Sequence, residues 1–291
     1  MKLTTPVIFE KIPRPIRLED KICVLGSCFA DEIGTRLKGA GFSVLANPFG
    51  TLYNPASLAA AVQRLDSGEP FTHGDCVEMG AGAGRICSYS HHTSFARADA
   101  QEFLDHANAC LADAAAAWQR CSRVIVTLGT AWVWRALERP GRPVVANCLK
   151  RAAREFAHEL LSVDTCAAYL RGIVEAHPDK EFLFTVSPIR HLGEGARANT
   201  LSKSTLHLAV QQTLASYGSP AGLAYFPAYE ILMDELRDYR FYADDLVHPA
   251  PLAVQIIWER FLDACTDPSD RARILENEKA ARAGRHRTLA R

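Results

Sequence analysis

Asp245 and His248 stand three residues apart in FYADDLVHP, just ahead of a proline suited to the first position of a helix. At that spacing a carboxylate can bond one imidazole nitrogen while the other faces a nucleophile, which fixes the tautomer and makes the ring a general base. Near the other end of the chain, Ser27 and Cys28 follow Gly26 where a short apolar run gives way to a helix-like segment. A side chain at such a tight junction stands clear of the sheet, and the first N–H groups and dipole of the helix favour an anion there. Nucleophilic acyl transfer needs a hydroxyl or thiol, a base, a group that orients the base, and donors for the oxyanion. These four side chains supply the first three. Each also has a plain structural reading: Ser27 as an N-cap, Cys28 as a small buried residue, and Asp245 with His248 as a surface pair in a loop. The set gains weight because the pair lies at the opposite chain end from the Gly-Ser-Cys turn, where a nucleophile's partner is needed.

Positioning these groups requires a frame of strands and helices. KICVLG (21–26) predicts a strand, followed by a sharp turn and the helix CFADEIGTRLKGAG. FSVLAN (42–47) predicts a second strand, and PASLAAAVQRL (55–65) a helix after the loop PFGTLYN. The glycine cluster within 75–90 marks a hairpin, a helix spans about 99–119, and SRVIVTLG (122–129) is a buried strand. The segment 131–147 alternates around RPGRP and predicts a second hairpin excursion. A helix near 163–176, the strand EFLFTVS (181–187), a helix near 200–216, the strand LAYF (223–226), the helix of YEILMDEL and the helix 251–265 complete the order. Strands alternating with helices predict an α/β fold, a mostly parallel sheet covered on both faces, with ligands at the carboxyl ends of the strands. GSC, NPFG, GTAW and SPIRH all fall at that edge.

The composition sets bounds on the partner. With 291 residues and 48% hydrophobic content the chain can bury a full core, which predicts one compact domain over residues 1–265 and an exposed helix or tail in the charged stretch 266–291. Lys+Arg and Asp+Glu are both 33, a balance that offers no overall field to nucleic acid or an anionic membrane. The nine cysteines are scattered and never form Cys-x-x-Cys, as expected of reduced thiols. The N-terminus has no signal-peptide run and no apolar run is long enough to span a bilayer, which predicts a cytoplasmic protein. A small acyl ester or thioester, including a carrier-bound acyl group, fits such a chain, and the chemistry requires no cofactor.

Further side chains sit at the expected edge. Arg190 and His191 end the fourth strand and can bind an anionic or carbonyl part of a substrate, and Arg190 can equally serve as a structural ion-pair residue. His91 and His92 are paired but have no third ligand at a metal-binding spacing, so no metal site is predicted. Trp132 and Trp134 straddle a strand and are expected on opposite faces, with at most one on a pocket wall. GAGAGR (80–85) lacks the spacing of a dinucleotide loop and is expected to be a hairpin tip.

The segments GSCFA (26–30), NPFGTLYNP (47–55), TLGTAWVW (127–134), TVSPIRH (185–191) and YRFYADDLVHP (239–249) closely resemble the GSCFA domain family, which is similar to the SGNH/GDSL hydrolases. The resemblance covers about residues 5–265 and implies a flavodoxin-like three-layer α/β/α fold, with a triad of nucleophile, Asp245 and His248. It implies that the Gly50 N–H serves the oxyanion. The third SGNH block has an Asn that is absent here, and its register leaves Thr130 or a backbone N–H as the substitute. With the glycines in register, Cys28 falls on the SGNH serine, while a shift of one residue restores Ser27. The resemblance also places His91 and His92 at the pocket, and it sets Asn147 and Lys150 in a stretch where the family carries a histidine and this chain has Leu149. Hydrolysis through a covalent acyl-enzyme, transfer of the acyl group to a sugar, amine or carrier thiol, and a non-catalytic ligand-binding domain of the same fold all remain open, as does the oligomeric state.

Overall fold

The computed structural model describes residues 5–80, 82–217 and 222–289. Its centre is a parallel five-stranded sheet built from β1 (Lys21–Gly26), β2 (Ser43–Ala46), β5 (Arg123–Leu128), β9 (Glu181–Val186) and β10 (Leu223–Tyr225), in the order β10-β9-β5-β1-β2. All four strand pairings are parallel. Continuous apolar runs become strands here because both sheet faces are covered. Alternate residues go to opposite cores: Cys23 and Leu25 pack with one helical layer, Ile22 and Val24 with the other.

One layer holds α2 (Pro55–Ser67), α3 (Ala100–Arg120), α4 (Val163–Ala176) and α5 (Gly195–Ala215). The other holds α1 (Cys28–Gly39) and α7 (Pro251–Cys265), with a short turn α6 (Ala228–Glu230). This three-layer α/β/α arrangement has the flavodoxin-like strand order, so the crevice at the carboxyl ends lies where the order reverses, beside β1 and β5.

Two excursions decorate the sheet. β3 (Val77–Glu78) and β4 (Ile86–Cys87) form the first hairpin. In the second, β6 (Trp132–Ala136) pairs with β7 (Val144–Val145) and also with β8 (Phe156–Leu160), a strand that the pattern did not predict. The segment YEILMDEL departs from a regular helix, because α6 runs into a π-turn over Ile231–Glu235. The charged C-terminal stretch forms α8 (Arg271–Leu289), whose first turns dock: Ile274 is buried, Asn277 donates to the Ala40 carbonyl at 2.9 Å, and Trp258 donates to Glu278 at 2.7 Å. Among the described residues no helix is long and apolar enough to cross a membrane.

Candidate active site

The turn after β1 is shaped by Gly26. Its φ of 144° is open to glycine, and a Cβ there would collide with the Thr127 carbonyl of the neighbouring strand. That close approach lets the Ser27 N–H donate to Thr127 O at 3.1 Å, so the chain leaves the sheet and enters α1 within one residue. Ser27 takes the N-cap position without a side-chain capping bond, is fully buried, and its Oγ has no partner. Cys28, the first residue of α1, is half-buried. The N–H groups of Cys28 and Phe29 donate to nothing among the described residues, as expected of a helix's first turn.

The loop after β2 braces this turn. Asn47, with φ 42°, accepts from the Gly26 N–H at 2.8 Å and donates to Asp31 on α1 at 2.7 Å. Leu52 N–H donates to Gly26 O at 2.9 Å. The next residue, Tyr53, accepts from Gly129 and Thr130 N–H at 2.8 and 2.9 Å, which fastens the loop to the end of β5. The Tyr53 hydroxyl lies 3.3 Å from Cys28 Sγ and accepts from Thr51 at 3.2 Å. With Thr51 filling its acceptor side, the phenol proton is free to point at the sulfur. Burial, helped by the neighbouring Cys28, pushes the Tyr53 pKa up to about 12, so it is a neutral donor at ordinary pH.

The second half of the site sits on the loop before α7. Asp245 Oδ2 is 2.7 Å from His248 Nδ1, and its Oδ1 accepts from the N–H groups of Val247 and His248, each at 2.9 Å. Those two backbone donors, with the imidazole, hold the Asp245 carboxyl down to about 2. His248 Nε2 has no hydrogen-bond partner among the described residues. Neither Cys28 Sγ nor Ser27 Oγ is hydrogen-bonded to His248, and the thiol is instead bonded to Tyr53.

A cleft of about 650 Å³ runs beside these groups, lined by Tyr53, Thr130, Asn147, Arg190, His191 and Val247 among others. His191 packs edge-on against the Tyr53 ring at 5.4 Å. Gly129 is the point of convergence: a Cβ there would come within 3.1 Å of His191 Nε2 and 3.2 Å of both Ser27 Cβ and Tyr53 Cδ1. His191 Nε2 is buried without a partner. Burial, then the charges of Lys203 and His248, push the His191 pKa down to about 4, so the ring is neutral.

Lys203 on α5 underlies this arrangement. It is 2% exposed and donates to the carbonyls of Gly129 and Ser187 at 2.7 and 2.8 Å, the residues that follow β5 and β9. Burial pushes its pKa down to about 7. Pattern reasoning missed Lys203, Tyr53 and Asn47. The signal for Lys203 is faint: it shares the buried face of α5 with Leu206 and Val210, but polar residues such as Asn199 and Ser202 interrupt that face.

Other expected residues sit as follows. The Gly50 N–H closes the Asn47–Gly50 turn by donating to Asn47 O at 2.8 Å, so in this geometry it is not free for an oxyanion. Thr130 is similarly occupied, its N–H by Tyr53 O and its hydroxyl by Ser202 at 2.9 Å. His92 contacts the Gly50 side of the loop, caps a short turn through Ser94 N–H at 3.2 Å, and is not among the residues lining the cleft. His91 is fully buried among Phe49, Phe71, Phe95 and Phe103, which corrects its expected place on the pocket wall and pushes its pKa down to about 3. Asn147 lines the cleft while its Oδ1 accepts from Leu149 N–H at 2.7 Å. Trp132 and Trp134 both line it too, because strand residues two apart share a face; the expectation of opposite faces is corrected. His158 of β8 stacks on both, with ring centroids 4.7 Å from Trp132 and 3.9 Å from Trp134.

The chain matches the family model described as the GSCFA family over residues 21–261. A Streptococcus pneumonia protein whose structure carries the description "putative platelet activating factor" is 11% identical, with a TM-score of 0.42, covering 84% of this chain and 83% of that one. A variant of Axe2, an acetyl-xylooligosaccharide esterase from Geobacillus Stearmophilus, is 17% identical with a TM-score of 0.32, covering 53% of this chain and 66% of its own. No curated protein matches the chain in sequence.

Proposed function

The chain belongs to the GSCFA family, and on that premise we propose that it is an acyl-transfer enzyme of SGNH type that cleaves an ester or thioester through a covalent intermediate on Cys28. The observation that carries this reading is the Asp245–His248 pair, bonded at 2.7 Å with the distal imidazole nitrogen unpartnered, in a fold that sets a half-buried thiol at the N-terminus of α1. Cys28 is favoured over Ser27 because Ser27 is fully buried.

In the proposed cycle Cys28 Sγ attacks the acyl carbonyl carbon and its proton passes to His248 Nε2. Asp245 holds the resulting imidazolium. The free N–H groups of Cys28 and Phe29 receive the oxyanion, in place of Gly50 and Thr130, whose donors are engaged at rest. Collapse breaks the bond to the leaving alkoxide or thiolate, which takes the proton from His248. Water then attacks the acyl-cysteine, giving its proton to His248, and the carbon–sulfur bond breaks to return the thiol. The resting contact of Cys28 with Tyr53 must open for the first proton transfer, so substrate binding has to bring His248 and the thiol together. The His248 side chain is 48% exposed, so water reaches the acyl intermediate, which favours hydrolysis over transfer to a second acceptor.

Labelling tests the nucleophile. Wild-type protein, C28A, S27A and H248A are treated with iodoacetamide and, separately, a fluorophosphonate, and the modified peptides are mapped. Cys28 should label, more slowly in H248A, and S27A should retain the label. Labelling of Ser27 by the fluorophosphonate would move the intermediate to serine, and His248-independent labelling at both positions would remove the covalent mechanism.

A further inference from the structure

Arg190 lies at the end of the segment SPIR after β9 and lines the same cleft. Its main-chain N–H donates to Val247 O at 3.2 Å, which ties it to the residue before His248. Its side chain forms no hydrogen bond or ion pair among the described residues, and its Nε is buried without an acceptor. Several other partly buried arginines carry an acid partner. Arg123 is paired with Asp20 and Glu181, Arg135 with Glu159, Arg151 with Glu155 and Arg260 with Glu235. A buried guanidinium donor with no acceptor carries the full desolvation penalty of that group, which a ligand anion would remove.

The surroundings fit such a ligand. Tyr229 and Tyr242 are close enough for the Arg190 charge to act on them, and both phenols are held neutral by burial. Glu194 is the acidic residue lining the cleft, and it faces His158 at 3.7 Å. Lys203 adds positive potential at the neighbouring His191.

We propose that Arg190 docks an anionic group, a carboxylate or phosphate, carried by the substrate close to the bond that is cleaved. This rests on the acyl-transfer reading for what is cleaved, and on the unpaired guanidinium alone for what is bound. The fork geometry of arginine matches both oxyanions in bidentate fashion. Because Arg190 is adjacent to His191 and fixed beside the His248 loop, the anion sits only a few bonds from the scissile carbonyl. A dicarboxylic mono-acyl group or a short phosphorylated acyl acceptor has that shape.

Two measurements test it. Calorimetric titration with succinate, inorganic phosphate and acetate should show the dianions binding to wild type, with affinity falling at least about tenfold in R190Q and partly restored in R190K. Preference of succinate over phosphate would identify the carboxylate as the source, and the reverse the phosphate. In the kinetic arm, mono-p-nitrophenyl succinate should exceed p-nitrophenyl acetate in kcat/KM by about tenfold or more in wild type, and the ratio should approach one in R190Q. Binding that is equal in wild type and R190Q, or absent for both dianions, overturns the proposal. Arg190-dependent binding with no turnover of any ester or thioester leaves the anion site standing and removes the acyl-transfer reading instead.

Discussion

The two halves of the candidate site are held in opposite ways. The Gly26–Cys28 turn is buried and fastened by contacts distant in sequence: Thr127 on the next strand, Asn47 and Leu52 from the loop after β2. The Asp245–His248 loop is exposed, at 51% and 48% for the two side chains, and is fastened mostly to itself. Ala243 N–H donates to His248 O at 2.8 Å, Leu246 N–H to Ala243 O at 2.9 Å, and Leu246 has φ 56°. The turn is therefore part of what makes the sheet fold, whereas the loop is a local device laid over it. Stability and chemistry should come apart along this division.

The largest effect is expected at the turn. Gly26→Ala puts a Cβ against a backbone carbonyl in a conformation that L side chains rarely adopt. It should cost about 3–5 kcal/mol in urea unfolding, or prevent folding. A loss below about 1 kcal/mol would show that the turn is soft and end the contrast. At the loop, His248→Ala should lower kcat/KM by about a thousandfold on any ester or thioester that wild type turns over, with a melting temperature unchanged within about 2 °C. A large fall in melting temperature would place the loop in the fold's cooperative core. Asp245→Asn should follow the same pattern with a smaller loss of stability still, since its bonds to Val247 and His248 are exposed.

The same division governs what could be read in the sequence. Buried apolar runs announced β1, β5 and β9, and the spacing of PLAVQIIWERFLDAC gave α7 its bounds, because periodicity and burial coincide in those segments. β8 was hidden because FAHEL carries His158 and Glu159 on a strand that is only partly covered. Trp132 and Trp134 share a face because the side chains of a strand repeat every two residues. Asp245 and His248 were legible because their contact is local, three residues apart. Tyr53 was not, since nothing near it in sequence says that its hydroxyl reaches Cys28 across 25 residues. Lys203 was obscured by the polar residues Asn199, Ser202, Thr205 and Thr213 that share its buried face, which weaken the apolar stripe of α5.

Lys203 supplies the finest test of the contrast, because it holds the buried half from beneath. Its native pKa, about 7, lies below the 10.5 of an ordinary lysine, with burial as the cause. Between these values Lys203 is protonated in the unfolded chain and neutral in the folded one, so its own contribution to stability rises with pH across that window and is lost as pH falls through about 7. From pH 7 to 9 this side chain should add about 2 kcal/mol to unfolding free energy. The raised thiols pull the other way at the top of this window, because in the unfolded chain they begin to ionise near 9. Only a comparison of wild type with a Lys203 variant isolates the lysine. The raised phenols act above the window, and the lowered His91, His191 and His207 below it. Lys203→Met keeps the length of the side chain but removes the titration and the bonds to Gly129 and Ser187. It should therefore be less stable than wild type at pH 9, and that margin should narrow by about 2 kcal/mol on going down to pH 7. Parallel profiles for the two proteins would mean that Lys203 stays charged inside the fold, and that its two carbonyl acceptors outweigh burial.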